Sequence, residues 1–193
     1  MKKLVYVLLI VAGALSLASC TGYNKMVEKQ ESVTAQWGNV QNAYQRRADL
    51  IPNLVNTVKG YANHEQETFT QVTEARSRAT QTNVNPENLT AESLQEYQQA
   101  QNQLSQALGR LLMIQENYPE LKANQNFLAL QDELAGTENR ISVERNRFNQ
   151  ITQDYNSYIR KFPQVIYAKW FDFETKAYFE ALPEAQTAPE VQF

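Results

Sequence analysis

The chain of 193 residues has one cysteine and one histidine, and these two scarcities remove whole classes of chemistry. A disulfide framework needs paired cysteines, a thiolate zinc site needs several, and Cys–His catalysis needs both residues inside one fold. Positive charge is also short. Lys2 and Lys3 fall in a leader segment, so the remainder carries 16 basic against 21 acidic residues, a net charge of −5. Nucleic acid is therefore not expected as a partner, because phosphate binding is driven mainly by a positive field. Glycine and proline number six each beside 38 glutamines and asparagines, a composition that favours helices with long polar faces. No stretch alternates with period two for long enough to suggest a sheet.

The chain begins with a short positive region, Met1-Lys2-Lys3, followed by an uncharged and mostly apolar run from Leu4 to Leu17. Fourteen residues are too few to cross a bilayer of about 30 Å, which needs roughly 20. The run ends in Leu17-Ala18-Ser19-Cys20, which resembles a bacterial lipobox. Residues 1–19 then read as a lipoprotein signal peptide, and Cys20 as the residue that carries the acyl chains. The lone cysteine is explained by the chemistry, since only a thiolate is nucleophilic enough to be alkylated by the lipid donor. Several acyl chains also hold a protein far better than one. The expected setting is the bacterial cell envelope, with the domain outside the cytoplasm and the membrane reached through lipid.

Residues 20–193 read as one domain. Val33, Trp37, Val40, Tyr44, then Ile51, Leu54, Val58 and Tyr61 step by three and four with one gap at Arg47, and Pro52 lies inside the pattern without shifting its phase, so the helix is expected to kink or restart at Leu50 to Pro52. Asn63 and Gln66 have the form of a capping box for a second helix carrying Phe69, Val72, Ala75 and Ala79. A loop from Gln81 to Leu89 leads to Thr90 as the cap of a third helix, with Leu94, Tyr97, Leu104, Leu108 and Leu111 on one face and Leu112 widening it. Phe127, Leu134, Ile141, Phe148, Tyr155 and Phe162 recur every seven residues in the last helix. That helix is expected over about residues 119–161, roughly 64 Å long. The predicted fold is all-α: an antiparallel four-helix bundle with long first and last helices, an aromatic C-terminal tail and a mobile end over about 180–193.

Several long segments are similar to the LemA family: Arg46 through Val55, Val58 through Ala62 with His64 and Glu65, Glu116 through Asn124, and Glu138 through Ile141, together with Arg145, Asn149, Asn156 and Phe162-Pro163. The resemblance runs from about Tyr23 to Phe193. It implies a four-helix bundle held at a bacterial membrane, in a family without an established molecular activity. Family members commonly begin with an apolar segment long enough to anchor them, whereas this chain ends its apolar run at a lipobox.

Arg47 stands at a seam position where an apolar residue is expected, and burying a guanidinium alone is costly. If the first and last helices pack antiparallel, facing residues have a constant sum of numbers. A sum near 185 pairs Trp37 with Phe148 and Arg47 with Glu138. A shift of one heptad would set Arg47 against Gln131 or Arg145. Arg47 and Glu138 are thus expected as a buried, register-setting polar pair. The alternative is a polar site within the bundle, joined by Asp49, Arg140 and Arg145. No metal is expected, since the single His64 cannot supply the two Glu-x-x-His motifs that bundle metal sites use, and no cofactor is implied.

Seven aromatic residues lie between Phe162 and Phe179. They either fold over the bundle and complete its core, or present Trp170 and Phe171 to the membrane headgroups or to a protein partner. The expected function is a non-catalytic binding or scaffold module with an envelope protein partner. Two alternatives stay open. One is a self-assembling helical spacer, to which Gln101 and the wide Leu111-Leu112 face point. The other is an accessory hydrolase working with paired carboxylates and arginine.

Overall fold

The computed structural model describes the backbone of residues 2–180 and the side chains of residues 21–180 except Asn88. The side chains of the leader and of Cys20, and the tail beyond Glu180, lie outside the described residues. Among the described residues there are no strands and six α-helices: α1 (Lys2–Lys59), α2 (Gln66–Gln81), α3 (Ala91–Met113), α4 (Pro119–Lys122), α5 (Gln125–Arg160) and α6 (Gln164–Trp170). The bundle is built from α1, α2, α3 and α5, with the two longest helices first and last as the periodicity predicts. No helix among the described residues is long and apolar enough to cross a membrane.

α1 runs through Pro52 without a break, with Ile51 and Leu54 both buried on either side of it. Proline has no N–H, so the carbonyl four residues earlier loses its helical partner. That carbonyl belongs to Ala48, and Arg76 of α2 supplies the missing donor through Nε at 2.8 Å. The defect in one helix thereby becomes an attachment point for the next. α1 then ends at Lys59, and Ala62, fully buried, donates its N–H to the Val58 carbonyl. The expected capping box does not form. Asn63 lies within this turn, α2 begins at Gln66 with no side-chain cap, and the Gln66 amide instead reaches back to the Asn63 carbonyl.

α3 starts as predicted, with Thr90 accepting from the Ser93 N–H and Ser93 reciprocating. The last long helix starts later than predicted. Pro119 opens only the four residues of α4, the chain turns at Ala123, and Asn124 restarts it by accepting from the Phe127 N–H at 2.9 Å. The other end falls within a residue of the expected one, but the last position of the repeat does not pack. Phe127, Leu134, Ile141, Phe148 and Tyr155 are buried in register, whereas Phe162 is 80% exposed. The residue before a proline is disfavoured in the helical region, and Pro163 ends α5 at Arg160, before the next heptad position is reached.

The core consists of two apolar clusters. One gathers Ile51, Leu54, Val58, Phe69, Val72, Leu104, Leu111, Leu121, Phe127 and Leu134. The other gathers Met26, Val33, Trp37, Tyr44, Leu94, Tyr97, Ile141, Phe148, Tyr155 and Phe179. On α1, α3 and α5 alike, the boundary between them falls at the same height. We expect Arg76→Met to cost about 1–3 kcal/mol by stranding the Ala48 carbonyl. In a Pro52→Ala background the restored N–H takes that carbonyl, and the same change costs clearly less. Urea denaturation of the four chains measures this, and equal costs in both backgrounds would remove the account of Arg76.

Candidate functional site

The boundary between the clusters is occupied by Arg47, which is 1% exposed. Its guanidinium donates through Nη1 to Glu138 Oε1 at 2.5 Å and to Ser105 Oγ at 2.9 Å. Through Nη2 it donates to the side-chain oxygen of Gln101 at 2.8 Å and to the Gln101 carbonyl at 3.3 Å. Its flat face lies 5.1 Å from the Tyr44 ring centre. Nε is the one donor left buried without a partner. Glu138 corrects the expectation of a buried pair: its side chain is 45% exposed, so only the arginine is withdrawn from water. The buried acceptor is Gln101, whose amide also donates to the Ala79 carbonyl at the end of α2. Gln101 and Leu111 therefore face inward, which removes the sequence feature that pointed to side-by-side assembly.

The residues expected to extend this layer are engaged elsewhere. Asp49 accepts from Gln45 at the surface. Glu144 accepts from Gln36 at 2.8 Å and lies 4.0 Å from Arg140. Arg145 lies over the Phe179 ring and donates to the Glu180 carbonyl. Among the described residues no group of three or more His, Cys, Asp or Glu side chains is placed to hold a metal ion. A cleft of about 250 Å³ opens beside the layer, lined by Gln41, Tyr44, Gln81, Asn83, Tyr97 and Gln101 among others. Its lining is of amides and hydroxyls, among them the phenols of Tyr44 and Tyr97, which burial holds protonated well above their ordinary range.

The C-terminal tail folds back as an extended strap along α5 and the start of α3. Asn156 donates to the Lys176 carbonyl and accepts the Lys176 N–H, at 2.8 and 2.9 Å. Asn149 repeats the arrangement with Phe179, at 2.9 Å in both directions. Tyr155 donates to the Glu174 carbonyl at 2.9 Å, and the Ala177 N–H donates to the Leu89 carbonyl at 3.1 Å. The Lys176 ammonium reaches the Glu87 carbonyl. Phe179 is thereby inserted into the second cluster, stacked on Trp37 at 5.9 Å and edge-on to Phe148 at 5.5 Å. Of the tail's two readings, the strap fulfils the first. Nothing in the sequence marked Asn149 or Asn156 as its clamps, because an asparagine on a helix face reads as solvated surface.

Trp170 and Phe171 stay outside, at 75% and 53% exposure. They sit beside the part of α1 just after residue 21, where Phe171 meets Tyr23 edge-on at 4.9 Å. The end of α5 is brought to the same place by pairing with the stretch of α1 that follows Tyr23, as in the ion pair of Lys29 with Asp154.

Comparison with known proteins agrees with this architecture. The chain matches the LemA family over residues 36–193. It belongs to the LemA family. Protein LemA of Metamycoplasma hominis is 26% identical over 158 residues, covering 82% of this chain and 68% of the relative. Magnetosome protein MamQ of Magnetospirillum gryphiswaldense is 26% identical over 182 residues, covering 86% of this chain and 67% of that protein. A MamQ of Paramagnetospirillum magneticum is 25% identical over the same length. The LemA match spans α2, α3, α4, α5 and α6 whole, together with the part of α1 that contains Arg47, so the polar layer and the clamps lie within it.

Two outcomes test the chemistry of this LemA-family core. In double-mutant cycles, Arg47 with Gln101 is expected to show a coupling larger than Arg47 with Glu138, because Gln101 is buried while Glu138 can rehydrate. Arg47→Leu alone should cost about 2–4 kcal/mol. Equal couplings would restore the ion pair as the dominant contact. The second outcome concerns alkaline pH. Burial raises the phenols of Tyr44, Tyr97 and Tyr155 above 10, that of Tyr155 to about 12. Groups raised in the folded state contribute stability that is complete below pH 10 and is lost as pH rises through their folded values. Lys176 opposes this, since burial lowers it below 10.5. With these buried phenols outnumbering the one lysine, stability should fall between pH 10 and 12, by up to about 1.4 kcal/mol per pH unit for each tyrosine, and the melting point with it. Tyr97→Phe should make that fall shallower, and an unchanged slope would contradict the assignment.

Proposed function

We propose that the chain is a lipid-anchored protein of the bacterial envelope that works as a non-catalytic binding and scaffold module, with Cys20 as the acylated residue. The observation that carries the reading is the course of α1. From the residue after the lipobox to Lys59 it forms one uninterrupted helix paired with α5, a rod of roughly 58 Å that rises from the tether. Such a rod displays surface at a distance from a membrane. The polar side chains inside it are used by one another: Arg47 by Gln101, Ser105 and Glu138, and Glu144 by Gln36. A hydrolase would need a carboxylate pair free to act, and Glu138 and Glu144 are both occupied in holding helices together. The relatives' names, LemA and magnetosome protein MamQ, denote no reaction, and MamQ is named for a cellular body.

The test is acyl labelling and fractionation of the wild-type chain and of Cys20→Ser. We expect fatty-acid label and membrane association in the wild type and loss of both in the variant. An unlabelled wild-type chain in the soluble fraction would overturn the anchor. In-cell cross-linking then separates the remaining possibilities: repeated recovery of one envelope protein supports the scaffold, whereas recovery of this chain alone supports a spacer.

A further inference from the structure

Ten large hydrophobic side chains are exposed among the described residues, and five of them, Tyr23, Phe162, Ile166, Trp170 and Phe171, gather at the end of the rod where residue 21 lies. They belong to three different parts of the chain. Tyr23 comes from α1, Phe162 from the turn after α5, and Ile166 and Trp170 from α6, where their spacing of four puts them on one face, opposite the buried Ala168. Exposed apolar side chains grouped at one end of a bundle mark a contact with something else. We propose that this aromatic foot lies in the headgroup layer of the membrane that holds the lipid anchor, and so fixes the stance of the rod. The proposal rests on the acylated Cys20.

Position argues for the bilayer as the occupant. Tyr23 is three residues from Cys20, about 4.5 Å along a helix, and its ring touches Phe171. Acyl chains inserted at Cys20 therefore bring the foot to the surface with little left to search. Chemistry points the same way. Indole and phenol rings with one polar edge are favoured at the headgroup level, and Trp170 and Tyr23 supply both. Charge plays little part: Lys25 is paired with Glu28 and Lys29 with Asp154, and from Arg160 to Glu174 the sequence sets three basic residues against two acidic ones. Docking is accordingly expected on uncharged lipid and should be insensitive to salt.

The experiment uses the full acylated chain in phosphatidylcholine vesicles whose acyl chains carry bromine close to the headgroup. The chain has two tryptophans, and Trp37 is buried within the bundle, so bromine should remove about half of the emission, all of it from Trp170. Trp170→Phe, a change at an exposed position, should abolish the quenching while the protein still floats with the vesicles. A chain that floats with vesicles but shows the same quenching with and without Trp170 overturns the foot and leaves the anchor standing. A chain that does not float overturns the anchor and the foot together.

Discussion

Taking a guanidinium out of water is costly unless its donors are met, and the alignment of α1, α3 and α5 follows from meeting four of the five at Arg47. Four of its N–H groups are answered, from α3 by Gln101 and Ser105 and from α5 by Glu138. Those partners can converge only if α1, α3 and α5 are aligned at one height. The same height divides the core: Tyr44, Tyr97 and Ile141 belong to one apolar cluster, and Ile51, Leu104 and Leu134, each one or two turns away, belong to the other. An apolar seam with a heptad repeat tolerates a shift of seven residues. A seam interrupted by a buried cation does not, since a shift of seven along α5 sets Arg47 against Gln131 or Arg145 in place of the Glu138 carboxylate.

The strap obeys a second geometric match. Asn149 and Asn156 are seven residues apart, about 10.5 Å along a helix, and the residues they clamp, Phe179 and Lys176, are three apart, about 10 Å along an extended chain. Each carboxamide offers one donor and one acceptor to a backbone N–H and C=O, as a neighbouring strand would. The two clamps can both be filled only at this spacing. Their register also places Phe179 over Trp37. A segment without regular structure of its own thus completes an aromatic cluster that α1, α3 and α5 leave open.

Much of this was legible in the sequence where the signal is periodic. The sum of 185 placed Trp37 against Phe148, whose rings are 5.7 Å apart, and Arg47 against Glu138. Periodicity is blind to depth, however. It could not tell that Glu138 lies at the rim while Gln101 lies inside, because a glutamine in an apolar stripe reads equally as a core acceptor or as an edge of the stripe. It also failed where local backbone chemistry overrides the repeat: Phe162 keeps the interval of seven but precedes Pro163, and Asn63 has the spacing of a cap but is held in a turn by the buried Ala62. Asn124 was a cap in plain sight, hidden by the stronger expectation that Pro119 begins the long helix.

The strap and the exposed aromatic end are separated by very little chain, and this bears on what that end can do. Asp172, at φ 54°, makes the turn between them in the left-handed region that aspartate tolerates better than most residues. On one side Phe171 is held by Tyr23; on the other Phe173 also meets Tyr23, at 5.7 Å, and Glu174 is held by Tyr155. The aromatic rings at this end are therefore mounted on ordered backbone fixed at both flanks. Ordering a loose tail on contact would cost about 0.5–1.5 kcal/mol for each side chain immobilised, a cost that rings already positioned largely avoid. The sequence of contacts from Asn156 through Tyr155 to Tyr23 explains why a tail that could have remained disordered instead builds a firm surface beside Tyr23.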